Sequence, residues 1–449
     1  MGSLIDDYHD ALGLPHREVP LPIEEFPLDS VLPVAQLALG SVAAVAMAAE
    51  RRAQGRAALP RPPLRLDAQR VAAAFASDRL LRIGGEAMDG FAPSSGFFAA
   101  ADGWVRTHGN YPHHRQRLLA LLGLGASADR EDIVAAIAER PAQDIEDDAA
   151  RAGAIAVRVR AAEEWAASDA GRASSAGPLV SSRIRDDGGE VAQTRRGTPR
   201  LPLAGIRVLD LTRVLAGPVA SRTLALLGAE VLRVDPPEPS EIGWQHLDNG
   251  QGKRSTIVDL NSSAGFARMQ RLLDGADVFL SGYRPGSLDR FGLRPPPGVI
   301  VARISAWGEV GPWAPRRGFD SIVQAASGIS LIEGSDDRPG ALPAQALDHG
   351  TGYLTAAAII DAIALRDRDG LGRELSLSLA RTAHWLLDAE RGAPGGESVA
   401  WRPGLTVRHG DLETVRPALV EFDDYAWPAH PWGSDPAYWE ADSGHPEGA

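Results

Sequence analysis

The sequence predicts an α/β fold: a parallel sheet covered by helices on both faces, joined to a smaller α+β module. Two observations carry this. From Leu201 onward, short apolar runs alternate with helical patterns, which is the rhythm of β-α-β crossover units. Before about Ala173, helical patterns dominate around a single strand-like stretch. Residues 173–200, rich in Ser, Gly, Arg and Asp and without periodicity, read as a linker between the two parts.

After the linker, the apolar run "GIRVLDL" (Gly205–Leu211) reads as a buried strand. "PVASRTLALLG" (Pro218–Gly228) is a helix with Pro at its start and Gly at its end, and "AEVLRVD" (Ala229–Asp235) is a second strand. Together they form one βαβ unit of about thirty residues. "RSTIVDL", "DVFLSGY" and "GVIVARISAWG" continue as strands, with the helix "AGFARMQRLLDGA" and the short helix "PGSLDRFGL" between them. Five strands with intervening helices make a Rossmann-like parallel sheet. In the first part, "ADGWVRTHGNYPHHRQRLLALLGL" and the following "DREDIVAAIAERPAQDIEDDAARAGAIAVRV" read as a strand and two or three helices. The segment from Leu28 also matches the segment from Leu347 in layout: Leu-Asp, an Ala-rich helix, an Arg/Gly turn, a short strand and another Ala-rich helix. Ala-rich helices resemble one another without being copies, so that match has two readings.

The net charge of −13 and pI near 5.4 argue against a nucleic-acid surface, because phosphate binding needs a concentrated basic face. An anionic ligand must meet local arginines, since Lys253 is the only lysine. The absence of cysteine removes disulfides, thiolate nucleophiles and cysteine-ligated metals, and fits a cytoplasmic setting. Chemistry then rests on oxygen and nitrogen groups. The N-terminal "MGSLIDDYHD" shows no secretory signal. The apolar run Val31 to Ala49 reaches spanning length, but Pro33, Gln36, Gly40 and the following "ERRAQGR" favour a buried helix pair over a membrane span.

Five stretches carry candidate chemistry. The turn "TRVLAGP" (Thr212 to Pro218) follows a strand and opens a helix, where phosphates commonly sit on backbone N–H groups. It has only Gly217, so a dinucleotide fingerprint is absent despite Asp235 at the end of the next strand. "SGYRPGSLDRFGL" places Tyr283, Arg284 and Arg290 at a strand end, and "PRRGFD" adds Arg317; these arginines suit phosphates and Tyr283 suits a base. "LPAQALDHGTGY" sets Asp348 ahead of Gly350 and Gly352 at a helix start, as a cap or as a reacting group. "HGNYPHH" gathers His108, His113 and His114 in loop spacing with no carboxylate cluster, which favours an active-site entrance over a metal site.

Five stretches, "PLAGIRVLDLTRVLAGPVASRTLALLGAEVLRVDPP", "GKRSTIVDL", "ADVFLSGYRPGSLDRFGL", "GFDSIVQAASG" and "ALDHGTGYLTAAAIIDAIALRDRDGLGRELSLSL", resemble in that order the front half of the family III (CaiB/BaiF) CoA-transferases, which include the formyl-CoA and carnitine CoA-transferases. The resemblance covers roughly Leu201 to Leu387. It implies transfer of coenzyme A from an acyl-CoA to a carboxylic acid, with no metal and no permanently bound cofactor, in a homodimer without nucleic-acid or membrane partners. It places the catalytic aspartate on Asp348. CoA-contacting positions fall on Arg213, Leu215, Ala216, Val258, Asn261, Gly282, Tyr283, Arg290 and Arg317. Arg213 replaces a histidine of formyl-CoA transferase and Gly282 replaces a common asparagine, so a different acyl specificity is expected. Asp348 would attack the thioester and pass through an aspartyl-CoA thioester, with the N–H groups of Gly350 and Gly352 stabilising the oxyanions.

The segment order departs from the family. It implies a rearranged tandem: residues 1–93 a degenerate copy of the catalytic helix segment within the large domain, 94–172 the small α+β domain, 173–200 the linker, 201–390 the Rossmann-like CoA-binding and catalytic domain, and 391–449 an extended C-terminal tail. Asp29 stands where Asp348 does, without the glycines after it. Two alternatives remain. One is an α-methylacyl-CoA racemase, whose histidine falls on Phe319, so that His349 would have to serve as second base. The other is a non-catalytic CoA-binding subunit.

Overall fold

The central sheet runs in the order Ser181–Ile184, Arg373–Ser378, Ile300–Ser305, Val278–Ser281, Arg207–Leu211, Glu230–Asp235, Arg254–Ile257 in a computed structural model that describes residues 3–54, 64–185, 197–335, 337–391 and 400–440. All neighbours are parallel except the first pair. The α/β expectation therefore holds. The strands read as continuous apolar runs because helices cover both faces, so both sets of alternating side chains are buried.

Two long helices dominate one face. Ala346–Asp369 is buried along most of its length and packs against Val34–Gln54 and Ala216–Leu226. Small residues on both long helices allow this close approach. Arg51 of the earlier helix forms a two-pronged ion pair with Asp361 of the later one, with N···O distances of 2.8 and 2.6 Å, and Tyr8 completes it at 2.6 Å. The apolar stretch expected as a helix pair is one continuous helix. It is long and apolar enough to cross a membrane, yet it lies mostly inside the protein. A three-stranded antiparallel sheet, Gly96–Ala100, Gly103–Thr107 and Ala156–Arg158, carries the helices Pro112–Leu121, Arg130–Ala138 and Ala142–Ala152 around a separate core that includes Phe98, Val105, Ile137 and Ile145.

Several expectations change. The 173–200 interval is not all linker: Ser181–Ile184 pairs antiparallel with Arg373–Ser378 and closes one sheet edge, while residues 186–196 lie outside the described residues. Its polar composition fits an edge strand, which has one face and one side in water. The short helix in "PGSLDRFGL" is a single 3-10 turn, Asp289–Phe291. The segment from Leu28 has no strand at Leu64 to Leu66, and Asp29 is exposed ahead of the helix rather than within its first turn. The C-terminal tail contains a hairpin, Thr406–His409 with Leu412–Val415, which pairs with Arg82–Ile83. Beyond it the chain runs through turns and bends without regular elements and is anchored by buried Trp439.

Candidate active site

The sheet topology opens a crevice. From Arg207–Leu211 the chain winds outward through Glu230–Asp235 to Arg254–Ile257, then returns to Val278–Ser281 on the opposite side of Arg207–Leu211. At such a switch point the crossovers depart in opposite directions, and a cleft forms beyond the carboxyl ends of the two strands. A cavity of about 290 Å³ lies there. Arg213, Val214 and Ala216 follow the first strand into its wall, and Gly282, Tyr283 and Arg284 follow the second. Tyr111, His113 and His114 of the N-terminal module join Arg317, Phe319 and Asp348 in completing it.

Asp348 is the third residue of its helix and 6% exposed. Its reading as a helix cap is corrected: Gln345 occupies the cap position without a side-chain bond. The unpaired N–H groups of the first turn are satisfied from another element. Asp320, the first residue of the Asp320–Ser327 helix, accepts the Asp348 N–H at 3.0 Å. It also accepts from the Leu347 N–H and the Gln324 amide. Burial, and then the charge on Asp320, holds the Asp348 carboxyl well above the ordinary carboxylate range. Burial likewise raises Asp320, against the hydrogen bonds it receives.

Gly350 and Gly352 do not point their N–H groups into the cavity, because both lie inside the helix where those groups face carbonyls one turn back. Their role is close packing. A Cβ on Gly350 would sit 2.9 Å from Leu37, and one on Gly352 would sit 2.5 Å from the Ala216 carbonyl oxygen. The expectation that they form the oxyanion site is corrected accordingly.

The first turn is held from behind. Asp210 accepts the Thr212 N–H at 2.9 Å and its hydroxyl at 2.5 Å, and Lys253 stands 3.5 Å from its other oxygen. Lys253 is buried beneath the helix start, where burial lowers its pKa to about 8. Val214 adopts φ 70°, a conformation that costs a β-branched residue about 1–3 kcal/mol. Its N–H reaches Glu241 at 3.3 Å. Glu241 also receives Arg233 at 2.7 Å, the Tyr111 hydroxyl, and Arg213 at 3.5 Å. Burial works to raise the Glu241 pKa, but Arg233 and Arg213 outweigh it and bring it to about 2.

Arg213 is thus already engaged: its other donors go to the carbonyls of Pro239 at 2.8 Å and Ser240 at 2.6 Å. It braces the loop rather than offering a free guanidinium. Arg317, Arg284 and Arg117 differ. Arg317 and Arg117 converge on the Gly153 carbonyl at 3.3 and 3.2 Å, and Arg284 bonds the Pro315 carbonyl at 2.8 Å. Among the described residues none of the three has a carboxylate partner. Burial and then the charges on Arg284 and Arg117 lower the pKa of Arg317.

Of the expected residues, Asp348, Arg213, Ala216, Gly282, Tyr283 and Arg317 meet at this cavity. The others do not line it. Leu215 is buried at the helix start, and Val258 is packed in the core with Leu211 and Leu232. Asn261 is exposed and bonds Asp259 at 3.0 Å, and Arg290 is exposed over the Phe291 ring. His349 is stacked on Phe75 away from the cavity, and burial lowers its pKa to about 3, so it does not supply the second base a racemase needs. Asp320, Glu241 and Val214 were not singled out from sequence. Only Asp320 carried a signal, as the acid next to Phe319 in "GFDSIVQA".

Residues 203–404 match the model of the family described as CoA-transferase family III. A probable fatty acyl-CoA transferase, Rv3272, of Mycobacterium tuberculosis is 34% identical over 40% of this chain and 51% of its own length. An acyl-CoA transferase of Gibberella moniliformis is 32% identical over 64% of this chain and 55% of its own. The alpha subunit of succinyl-CoA–L-malate CoA-transferase of Chloroflexus aurantiacus is 30% identical over 43% and 50% respectively. The chain spans about half the length of these relatives.

Proposed function

Because residues 203–404 match the model of CoA-transferase family III, we infer that this protein transfers coenzyme A from an acyl-CoA to a free carboxylate with Asp348 as nucleophile. The observation that carries the reading is the position of Asp348: a buried carboxyl reaching a cavity at the sheet's switch point, with the arginines Arg284 and Arg317 in the same wall. The arginines lack carboxylate partners among the described residues, in a chain of net charge −13, which suits the phosphates of coenzyme A.

In the first step an Asp348 oxygen attacks the thioester carbonyl carbon. The carbonyl π electrons move to oxygen, and collapse expels CoA thiolate to leave a mixed anhydride. The thiolate then attacks the Asp348 carbonyl carbon, releasing the donor acid and leaving an aspartyl-CoA thioester. An acceptor carboxylate repeats the two steps in reverse and departs as the new acyl-CoA. Nucleophilic attack requires the ionised form of Asp348, which its burial opposes. The enclosing Tyr111, Phe319 and Tyr283 limit water, which would otherwise hydrolyse both intermediates.

The test is mass spectrometry of the protein mixed with a panel of acyl-CoAs and then with hydroxylamine. A hydroxamate at Asp348 supports the reading. Binding of acyl-CoA with no adduct anywhere in the chain favours a non-catalytic CoA-binding subunit.

A further inference from the structure

With the N–H groups of Gly350 and Gly352 engaged inside their helix, the charge that develops on the thioester oxygen needs a donor from elsewhere. His114 offers one. It belongs to the first turn of Pro112–Leu121 in the N-terminal module, lines the same cavity as Asp348, and is 7% exposed. Its ring meets Phe319 edge-on with centroids 5.8 Å apart, and the next residue, Asp320, fixes the backbone of Asp348. One short segment therefore positions both the imidazole and the nucleophile.

The His114 ring also has nothing to bond. Its Nδ1 is shut off from the cavity, as are those of His108 and His113, and Nε2, which has no hydrogen bond among the described residues and is not shut off, is the nitrogen a ligand can reach. A ring nitrogen left without a partner on a cavity wall is free to donate to a molecule bound there. Burial, followed by His113, His108, Arg317 and Arg117, lowers the His114 pKa to about 2. The ring is then a neutral hydrogen-bond donor and not a proton source. Of its neighbours, His113 lines the cavity too. His108 stacks flat on Phe319 at 3.8 Å and does not line the cavity, and His113 is only partly buried.

We propose that the His114 imidazole N–H donates a hydrogen bond to the acyl carbonyl oxygen of the bound thioester and stabilises the oxyanion formed when Asp348 attacks. The catalytic part rests on the transferase reading, whereas the contact itself is a binding contact. No proton moves. The C–O bond to Asp348 forms as the carbonyl π pair shifts to oxygen, the hydrogen bond shortens, and it relaxes again when the C–S bond breaks and the carbonyl returns.

The experiment starts from Asp348→Asn, which cannot react. Acetyl-CoA, butyryl-CoA and succinyl-CoA, each with ¹³C at the thioester carbonyl, are bound to it, and the carbonyl stretch is read by difference infrared spectroscopy. The expected result is a band shifted to lower frequency than in free solution. The shift disappears when His114→Ala is added and largely persists with His114→Gln, while the dissociation constant changes less than about tenfold. In the enzyme with Asp348 intact, His114→Ala lowers kcat about 10²–10³-fold, the usual effect of losing one oxyanion donor. A band that is unshifted, or shifted equally with and without His114, overturns the proposal. Failure of all three thioesters to bind overturns it together with the transferase reading. A shift that depends on His114 in a protein forming no Asp348 adduct leaves the contact standing and sinks the transferase reading alone. Circular dichroism of each variant identifies any that fails to fold, and if His114→Ala does, His114→Leu, which fills the site but cannot donate, carries the comparison.

Discussion

The Asp320 carboxylate accepts the backbone N–H of Asp348 at 3.0 Å, so two buried acids meet at one helix N-terminus with a peptide group between them. Asp320 serves the helix as a cap and serves Asp348 as a neighbouring negative charge. The two effects are separable, because an amide oxygen in its place still caps but carries no charge.

Asp320→Asn should therefore shift the acid limb of the pH–rate profile. Asp348 must be ionised to attack, and burial together with Asp320 raises its pKa above 3.8, so the rate rises with pH above that value. Removing the Asp320 charge lowers the pKa of Asp348 and moves the limb to lower pH. Single-turnover thiol release between pH 4 and 8 reads it. A limb that stays put, or moves to higher pH, contradicts the coupling.

Asp348→Asn should abolish transfer, by about 10⁴-fold or more for a lost nucleophile, while making the fold more stable at pH 7. The sign follows from linkage. A carboxyl whose pKa is raised in the folded state contributes stability that is present below about 3.8 and lost as pH rises through the folded value. The amide escapes that loss. Thermal melts should show the variant above the parent at pH 7 and level with it near pH 4; equal melting at both pH values refutes the assignment.

Gly350→Ala and Gly352→Ala should cost stability through packing. Inserted methyl groups in tight cores cost about 1–3 kcal/mol. Gly352→Ala should be the worse, because its Cβ meets a backbone oxygen at 2.5 Å, whereas the Leu37 side chain at 2.9 Å from position 350 has some freedom to move. Urea unfolding of both variants ranks them, and the reverse order would show that the helix contacts are misassigned.

What was legible in the sequence follows from where each signal resides. The strand and helix rhythm after Leu201 is a local pattern, and the sheet came with it, whereas Asp348 stood out through the resemblance of its segment. The status of Arg213 was not legible, because Glu241 lies beyond the intervening strand and the 235–241 loop folds back to it. The glycines of "HGTG" read as backbone access, but their neighbours, Leu37 and Ala216, are remote in sequence. Ser181–Ile184 escaped notice because an exposed edge strand has the polar composition of a linker.

Glu241→Gln should be strongly destabilising, by about 3–5 kcal/mol, because it leaves the buried Arg233 without one of its charge partners. Tyr111→Phe removes one charge-assisted hydrogen bond and should cost less, about 1.5–3 kcal/mol. The Glu241 contribution is present above about 4.5 and lost as pH falls through about 2. The stability gap between parent and Glu241→Gln should therefore narrow in strong acid. Denaturant titrations at pH 7 and pH 2 measure it, and a constant gap speaks against an ionised Glu241.

Arg51 and its partner Asp361 lie 310 residues apart. At a synthesis rate of about 5–20 residues per second, roughly 15–60 s pass on the ribosome between them. Throughout that interval the apolar Val34–Gln54 helix has made none of its contacts with Ala346–Asp369. The nascent chain must keep a membrane-length greasy helix from aggregating until its last third emerges, so biosynthesis of this protein depends on what shelters that helix in the meantime.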